Sequence, residues 1–211
     1  MQLVQVTLAC ADVPCQIEWF SRHGWSTTAD SITVGYTTLR MTPSSHTHAY
    51  HYAMAVPANS VSAAARWCQQ QQIPLIAGVN HPLIYQFEEW GMQAIYFLDG
   101  AGNVAEFIGA YDATLPACNE FDLSMIHSVS EIGLVTPHVT TIANVLKDTY
   151  ALESFYSYNH TFHPVGDAEG RVIIVEPSRE WYPSTGVFST CDPLELTFVV
   201  NNCTYHAQWN Q

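Results

Sequence analysis

The chain is short of positive charge. Its 211 residues hold six Lys and Arg against nineteen Asp and Glu, a formal net charge of −13, and charged residues of both signs make up only 12%. A field of that sign repels phosphate backbones and anionic lipid, so nucleic acid and membrane are excluded as expected partners. No apolar run approaches the roughly 20 residues of a membrane span. Residues Met1-Gln2-Leu3-Val4-Gln5 lack the basic start and apolar run of a secretion signal. Six cysteines, at 10, 15, 68, 118, 191 and 203, show no Cys-x-x-Cys spacing. They are expected to be reduced, packed thiols of a cytoplasmic protein. A phosphate-binding glycine loop, a Gly-x-Ser-x-Gly elbow and a Cys/His nucleophile pattern are also missing. Ser/His/Asp combinations arise by chance in a chain with ten histidines.

What is present is a core-forming chain, 48% hydrophobic, with a strand pattern that occurs three times. Residues 5–10 read Gln-Val-Thr-Leu-Ala-Cys, residues 51–56 His-Tyr-Ala-Met-Ala-Val, and residues 131–136 Glu-Ile-Gly-Leu-Val-Thr. Each copy opens on a residue able to ligate a metal and then alternates large with small side chains. The period of two marks a strand. The recurrence places Gln5, His51 and Glu131 at equivalent positions of one repeated unit.

Each copy leads into a helical stretch. Asp12 is placed to cap a helix carrying Ile17, Trp19 and Phe20. Asn59 or Ser60 starts a second, with Val61, Ala64, Ala65 and Cys68 at the i, i+3, i+4, i+7 spacing of a buried stripe. A third carries Val139, Ile142, Leu146 and Tyr150. Strands are predicted near 31–36 and 37–42, at Gln93–Leu98 and Val104–Ile108 around the turn Asp99-Gly100-Ala101-Gly102-Asn103, and at Val172–Val175 and Leu194–Val200. Residues 76–90 read as irregular. Each unit is strand–helix–strand–strand, with a further strand at least in the second and third, and helices covering one sheet face make the class α+β.

The segment Tyr96-Phe97-Leu98-Asp99-Gly100-Ala101-Gly102-Asn103-Val104-Ala105-Glu106-Phe107-Ile108 resembles the Tyr-Phe-x-Asp-Pro-x-Gly-Asn-x-x-Glu-Phe signature of the vicinal oxygen chelate superfamily, which includes glyoxalase I, bleomycin-resistance proteins and extradiol dioxygenases. Gly100 stands where that signature has proline. The resemblance implies βαβββ units, two of them paired into a half-closed cup, with metal ligands on the first and last strands of each. It divides the chain into a cup domain over 1–112, built from units 1–45 and 46–112, a linker over 113–129, a third unit over 130–203 and a tail over 204–211.

Mapped onto the chain, the resemblance implies Gln5, His51 and Glu106 as ligands of a divalent Zn, Ni, Mn or Fe ion, with Thr7, Ala53, Trp90 and Tyr96 lining the pocket. The fourth position, around Leu39–Met41, holds no carboxylate, and Arg40 is its nearest polar residue, able to neutralise an anionic oxygen. A Gln-His-Glu set supplies one histidine, against the two of an O₂-activating facial triad, and lacks the second carboxylate that glyoxalase-type proton transfer needs. Lewis-acid polarisation of a small oxygen-bearing molecule survives. The alternatives are a metal-free binder of bleomycin-resistance type and a degenerate scaffold. Glu131 and Glu195 mark a second candidate site in unit three. Arg179-Glu180-Trp181-Tyr182-Pro183 reads as an aromatic loop that either caps a pocket or packs on the sheet. Because two units close a cup and a third is left over, a homodimer through residues 130–200 is expected.

Overall fold

A computed structural model describes residues 1–78, 83–156 and 158–210. In chain order the elements are β1 (Gln2–Cys10), α1 (Val13–Arg22), β2 (Ser31–Val34), β3 (Thr37–Pro43), β4 (His51–Ala55), α2 (Val61–Gln70), β5 (Tyr85–Phe87), β6 (Met92–Leu98), β7 (Val104–Ala110), β8 (Ser128–Val135), α3 (Val139–Tyr150), β9 (Glu153–Ser154), β10 (Phe162–Gly166), β11 (Arg171–Val175), β12 (Leu194–Val200) and β13 (Cys203–Trp209). They build an eight-stranded sheet, β5-β6-β7-β4-β8-β11-β10-β9, and a five-stranded sheet, β13-β12-β1-β3-β2. The architecture is α+β, as expected. Part of the irregular stretch expected over 76–90, residues 79–82, lies outside the described residues. Among the described residues no helix is long and apolar enough to cross a membrane.

The expected pairing of the first two units does not occur. β4 runs antiparallel to β8, so units two and three share the large sheet, and the boundary expected at residue 112 falls inside it. Unit one carries three strands where the other two carry four. Its sheet is completed by β12, which runs antiparallel to β1, and β13 follows at the edge. Most of the stretch expected as a tail over 204–211 is therefore strand. There Tyr205, Ala207 and Trp209 are half-buried and alternate with exposed Thr204, His206 and Gln208, the period of an edge strand written in mostly polar residues. The cover expected from a second copy of residues 130–200 is supplied within the chain by unit two.

The helices sit as the apolar spacing requires. The Asp12 carboxylate accepts the Cys15 N–H at 2.9 Å, starting α1. Phe20, Val61, Ala65, Cys68, Val139 and Leu146 are buried, and Ile17 and Ile142 are half-buried against them. One continuous core joins these helices to the outer face of the large sheet (Tyr52, Phe107, Ile132) and to the small sheet (Val6, Leu39, Phe198). Full burial of each large side chain contributes about 1.5–3 kcal/mol.

The β2–β3 turn docks unit one onto the large sheet. Gly35 has φ +57°, and a Cβ there would stand 1.8 Å from the His127 carbonyl oxygen. The Tyr36 N–H donates to that same oxygen at 3.0 Å. Gly35→Ala is expected to cost at least about 2 kcal/mol, because strain and backbone clash add. Urea unfolding with an unchanged m-value checks this, and a loss below about 0.5 kcal/mol would mean the turn is free to move.

Candidate functional site

Side chains alternate across the large sheet. On β4, Tyr52 and Met54 enter the core, while His51 and Ala53 face the opposite, concave side. On β7, Ala105 and Phe107 enter the core, while Glu106 and Ile108 face the concavity. On β8 a bulge sets the direction. Ala53 pairs with Glu131 and Met54 with Val129, leaving Ser130 as an extra residue. Val129 and Ile132 both enter the core, so Glu131 is turned onto the concave face.

The turn in the Tyr-Phe segment places Glu106. Asp99, fully buried, accepts hydrogen bonds from Gln16 Nε2 (2.7 Å), the Tyr52 hydroxyl (2.9 Å), Asn103 N and Nδ2 (both 2.9 Å) and Ala101 N (3.0 Å). Asn103 accepts the Tyr50 N–H at 3.1 Å. The turn thus ties β6 and β7 to α1 and to the start of β4. The residues that carry the resemblance hold the hairpin rigid, and the hairpin holds Glu106 beside His51.

His51, Glu106 and Glu131 converge. Each offers a donor atom, and these atoms all lie within 4.8 Å of one another. His51 Nε2 is 3.4 Å from Glu106 Oε2. Its Nδ1 lies 3.1 Å from the Val104 carbonyl oxygen, which makes Nδ1 the protonated nitrogen and leaves the Nε2 lone pair toward the carboxyls. Burial holds the imidazole below its usual range and so neutral. Burial, reinforced by the Glu131 charge, pushes the Glu106 carboxyl well above its usual range, against a hydrogen bond from the Tyr96 hydroxyl. The Glu131 carboxylate opposes that lowering of His51.

Arg171, which is 4% exposed, is the cation paired with Glu131. Its Nε donates to Glu131 Oε1 at 2.9 Å, and its Nη2 donates to the same oxygen. The guanidinium also stacks 4.5 Å from the Phe155 ring centroid. Both bonds meet on Oε1, so the second Glu131 oxygen keeps no guanidinium partner. β11 adds a difference between the two halves of the cup. Ala53 pairs with Glu106 across β4 and β7, and Gly133 pairs with Ile173 across β8 and β11. Unit three thus carries Ile173 where unit two carries Glu106.

Above the three donors is a cavity of about 320 Å³ walled by aromatics. Trp181 lies over Gly133, where a Cβ would meet its ring at 2.5 Å, and donates its indole N–H to the Ala49 carbonyl at 3.0 Å. Its ring centroid is 5.4 Å from that of His51. Trp90 stacks on Tyr156 at 4.8 Å and on Phe87 at 5.2 Å. Arg179, at the mouth, stacks on Phe162 at 5.1 Å. The aromatic loop over 179–183 therefore caps a pocket: Arg179, Trp181 and Tyr182 all line it. Two of the chain's six Lys and Arg residues line this one cavity.

Of the residues expected at the site, His51, Glu106, Trp90 and Tyr96 line the cavity, and Ala53 is buried beneath it. Gln5 and Thr7 are on the other sheet, where the Gln5 amide donates to the Thr7 hydroxyl at 3.1 Å. Arg40, also on that sheet, pairs with Asp30 at 2.8 Å in solvent. Glu131 joins His51 and Glu106, while Glu195, exposed on β12, stands opposite Thr7. The side chains that converge, and that could hold a metal ion, are His51, Glu106 and Glu131, because the cup joins units two and three. The repeat alignment of His51 with Glu131 was the sequence signal for this. Arg171 and Ile173 carried none.

The buried charges give a pH dependence. The folded pKa of Glu106 lies above its ordinary 4.5. Its contribution is therefore fully present below about pH 4.5 and is lost as pH rises toward the raised value. His51 acts in the opposite sense. Its folded pKa lies below 6.5, so its contribution is present above 6.5 and is lost as pH falls toward the lowered value. Chelator-treated protein is expected to lose stability as pH climbs from 4.5, and Glu106→Gln to remove that loss. Thermal melts across pH 4–9 read it, and superimposable wild-type and variant profiles would place the Glu106 carboxyl in solvent.

No protein-family model and no curated protein matches the sequence. Solved structures do match. A Bacillus subtilis protein provisionally described as a dioxygenase is 14% identical, with a TM-score of 0.58 over 83% of this chain and 63% of that one. Glyoxalase I from Zea mays is 8% identical, with a TM-score of 0.52 over 83% of this chain and 66% of that one. The chain spans just under two thirds of the length of each. Matched pairing of two βαβββ units, a concave aromatic face and these neighbours agree: the chain has the fold of these dioxygenase-like and glyoxalase structures.

Proposed function

We propose that the chain is a divalent-metal-dependent enzyme of the lyase or isomerase kind, taking a small oxygen-bearing molecule into the aromatic cup. The observation that carries this is the convergence of one neutral imidazole and two carboxyls, all buried, on a point reached from the cavity. The donor set suits Zn, Ni, Mn or Fe. It also fits a cation on charge: two carboxyls meet a single guanidinium, and burial leaves Glu106 short of a counter-charge. His51 Nε2, Glu106 and the guanidinium-free oxygen of Glu131 would hold the ion. When bound, it supplies Lewis-acid polarisation of a ligand oxygen.

The residues then divide the work. Arg171 holds Glu131 Oε1 in place through its guanidinium. Glu106, ionised once an ion is bound, would be the carboxylate placed to take a proton from a carbon of the bound molecule and return it elsewhere. Tyr96 orients Glu106, and Trp181 excludes water from the His51 side. One histidine argues against O₂ activation.

The Arg171–Glu131 pair and Ile173 favour a second reading, a metal-free binder of the bleomycin-resistance kind. A neutral Glu106 beside a guanidinium-paired Glu131 already balances charge without an ion. Calorimetric titration of tag-free, chelator-treated protein with Mn²⁺, Fe²⁺, Ni²⁺ and Zn²⁺ separates the two. The enzyme reading expects one site and proton release on binding, since Glu106 must ionise. No saturable uptake by any of the four would leave the binder.

A further inference from the structure

The loop between β3 and β4 carries a second cluster, away from the cup. His48 Nε2 lies 2.7 Å from the Ser44 hydroxyl, and His48 Nδ1 lies 2.8 Å from Asp192 Oδ1. A carboxylate accepts only, so Nδ1 carries the proton and Nε2 presents its lone pair to the Ser44 O–H. Asp192 is itself fixed: its Oδ2 accepts the Ala49 N–H at 3.1 Å and the Thr190 hydroxyl at 2.5 Å. The His48 and Asp192 side chains are 8% and 10% exposed, while Ser44 is half-exposed. Nucleophile, base and orienting carboxylate thus stand in hydrogen-bond sequence, with the carboxylate the more buried end and the hydroxyl reachable.

Room exists beside the base. A cavity of about 200 Å³ is lined by Cys10, Asp12, Cys15, Thr47, His48 and Asn103. The loop also offers backbone N–H groups: among the described residues those of Ser45 and Thr47 have no protein acceptor. Such groups can meet a developing oxyanion. With Asp12 on the cavity wall and a chain charge of −13, the site disfavours anionic molecules.

We propose that Ser44 and His48, positioned by Asp192, form a second catalytic site, a serine acyl-transfer centre for small uncharged carboxylic esters. Ser44 Oγ bonds to the ester carbonyl carbon as its proton passes to His48 Nε2. The C–O bond to the alcohol breaks, and the alcohol leaves with that proton. Water, giving a proton to the same nitrogen, then releases the carboxylic acid and restores the Ser44 hydroxyl.

The test treats the full chain, in the presence of chelator, with an alkyl fluorophosphonate and maps adducts by peptide mass spectrometry. One adduct on Ser44 is expected, with fluoride displaced. Its rate should drop about 100-fold or more in His48→Gln. Asp192→Asn should also slow it and alter its pH profile, which loss of a merely structural contact would not do. Turnover of p-nitrophenyl acetate should lose its Ser44-dependent part in Ser44→Ala. No adduct on Ser44, or a rate untouched by His48→Gln, overturns the proposal. Should the His48 variant melt early, Ser44→Cys decides. Its thiol should alkylate with iodoacetamide faster than exposed Cys15 if His48 serves as base, and an equal or slower rate overturns the assignment. Because metal is withheld throughout, none of these outcomes depends on the cup.

Discussion

His51→Ala is expected to abolish the divalent-metal binding proposed for the cup while leaving the fold in place. The side chain supplies the one nitrogen donor of the set, and its one protein hydrogen bond among the described residues is to the Val104 backbone carbonyl. Losing an outer-shell partner of a ligand typically costs 10- to 100-fold in metal affinity. Losing the ligand itself should cost more than that, taking a stoichiometric site to trace occupancy. The two carboxyls left behind, one paired to Arg171, make a poor site by themselves. Metal analysis after gel filtration gives the content, and circular dichroism with thermal melts gives the fold. Retained stoichiometric metal would place the ion elsewhere, with His46 and His48 the next histidines to change. Glu106→Gln should also lose the metal, since a neutral amide replaces an anionic donor at the same position.

Arg171→Met is expected to have the largest effect on stability. Removing one partner of a buried ion pair leaves an uncompensated charge, and such changes cost about 3–5 kcal/mol. Here the orphan would be Glu131, beside a second buried carboxyl. Pairing the change with Glu131→Gln should recover most of the loss, so the double-mutant cycle isolates the pair. A divalent ion gives a second readout. It can take over the balancing role, so metal should raise the melting temperature of the variant by more than that of the wild type. For scale, a ligand at 100 times its Kd stabilises by about 2.7 kcal/mol. A loss under about 1 kcal/mol, with no extra metal rescue, would mean that the guanidinium is not what neutralises Glu131.

The class of fold and the helices could be read from the chain because strand and helix periods are local. Asp12, the Val61–Cys68 stripe and the Asp99–Asn103 turn each act within a few residues of themselves. The pairing of units is not local. Three similar units can pair in more than one way, and the two that pair here are those with four strands. That difference was visible, but its consequence depends on β12 and β13, and β13 was hidden by its polar alternation. The site followed the pairing. His51 and Glu106 were legible as members of unit two, whereas Gln5 went with the other sheet and Glu131 took its place. Arg171 and Ile173 gave no sign, because a single residue on a strand says nothing about what faces it. Ser44, His48 and Asp192 are joined by no motif, since the contact spans the interval from residue 44 to residue 192.

The small sheet also bears on the order in which the molecule is made. β1 leaves the ribosome well before β12, one of its two neighbours, about 190 residues further on. Between them come residues 51–175, whose strands pair only with one another. During synthesis the cup can close as soon as β11 has emerged, while β1 waits with one edge bare. Nascent chains stalled before residue 194 should therefore show a protease-resistant central fragment and a first unit still open to cleavage. Release of β12 and β13 would then be the step that completes the small sheet around β1.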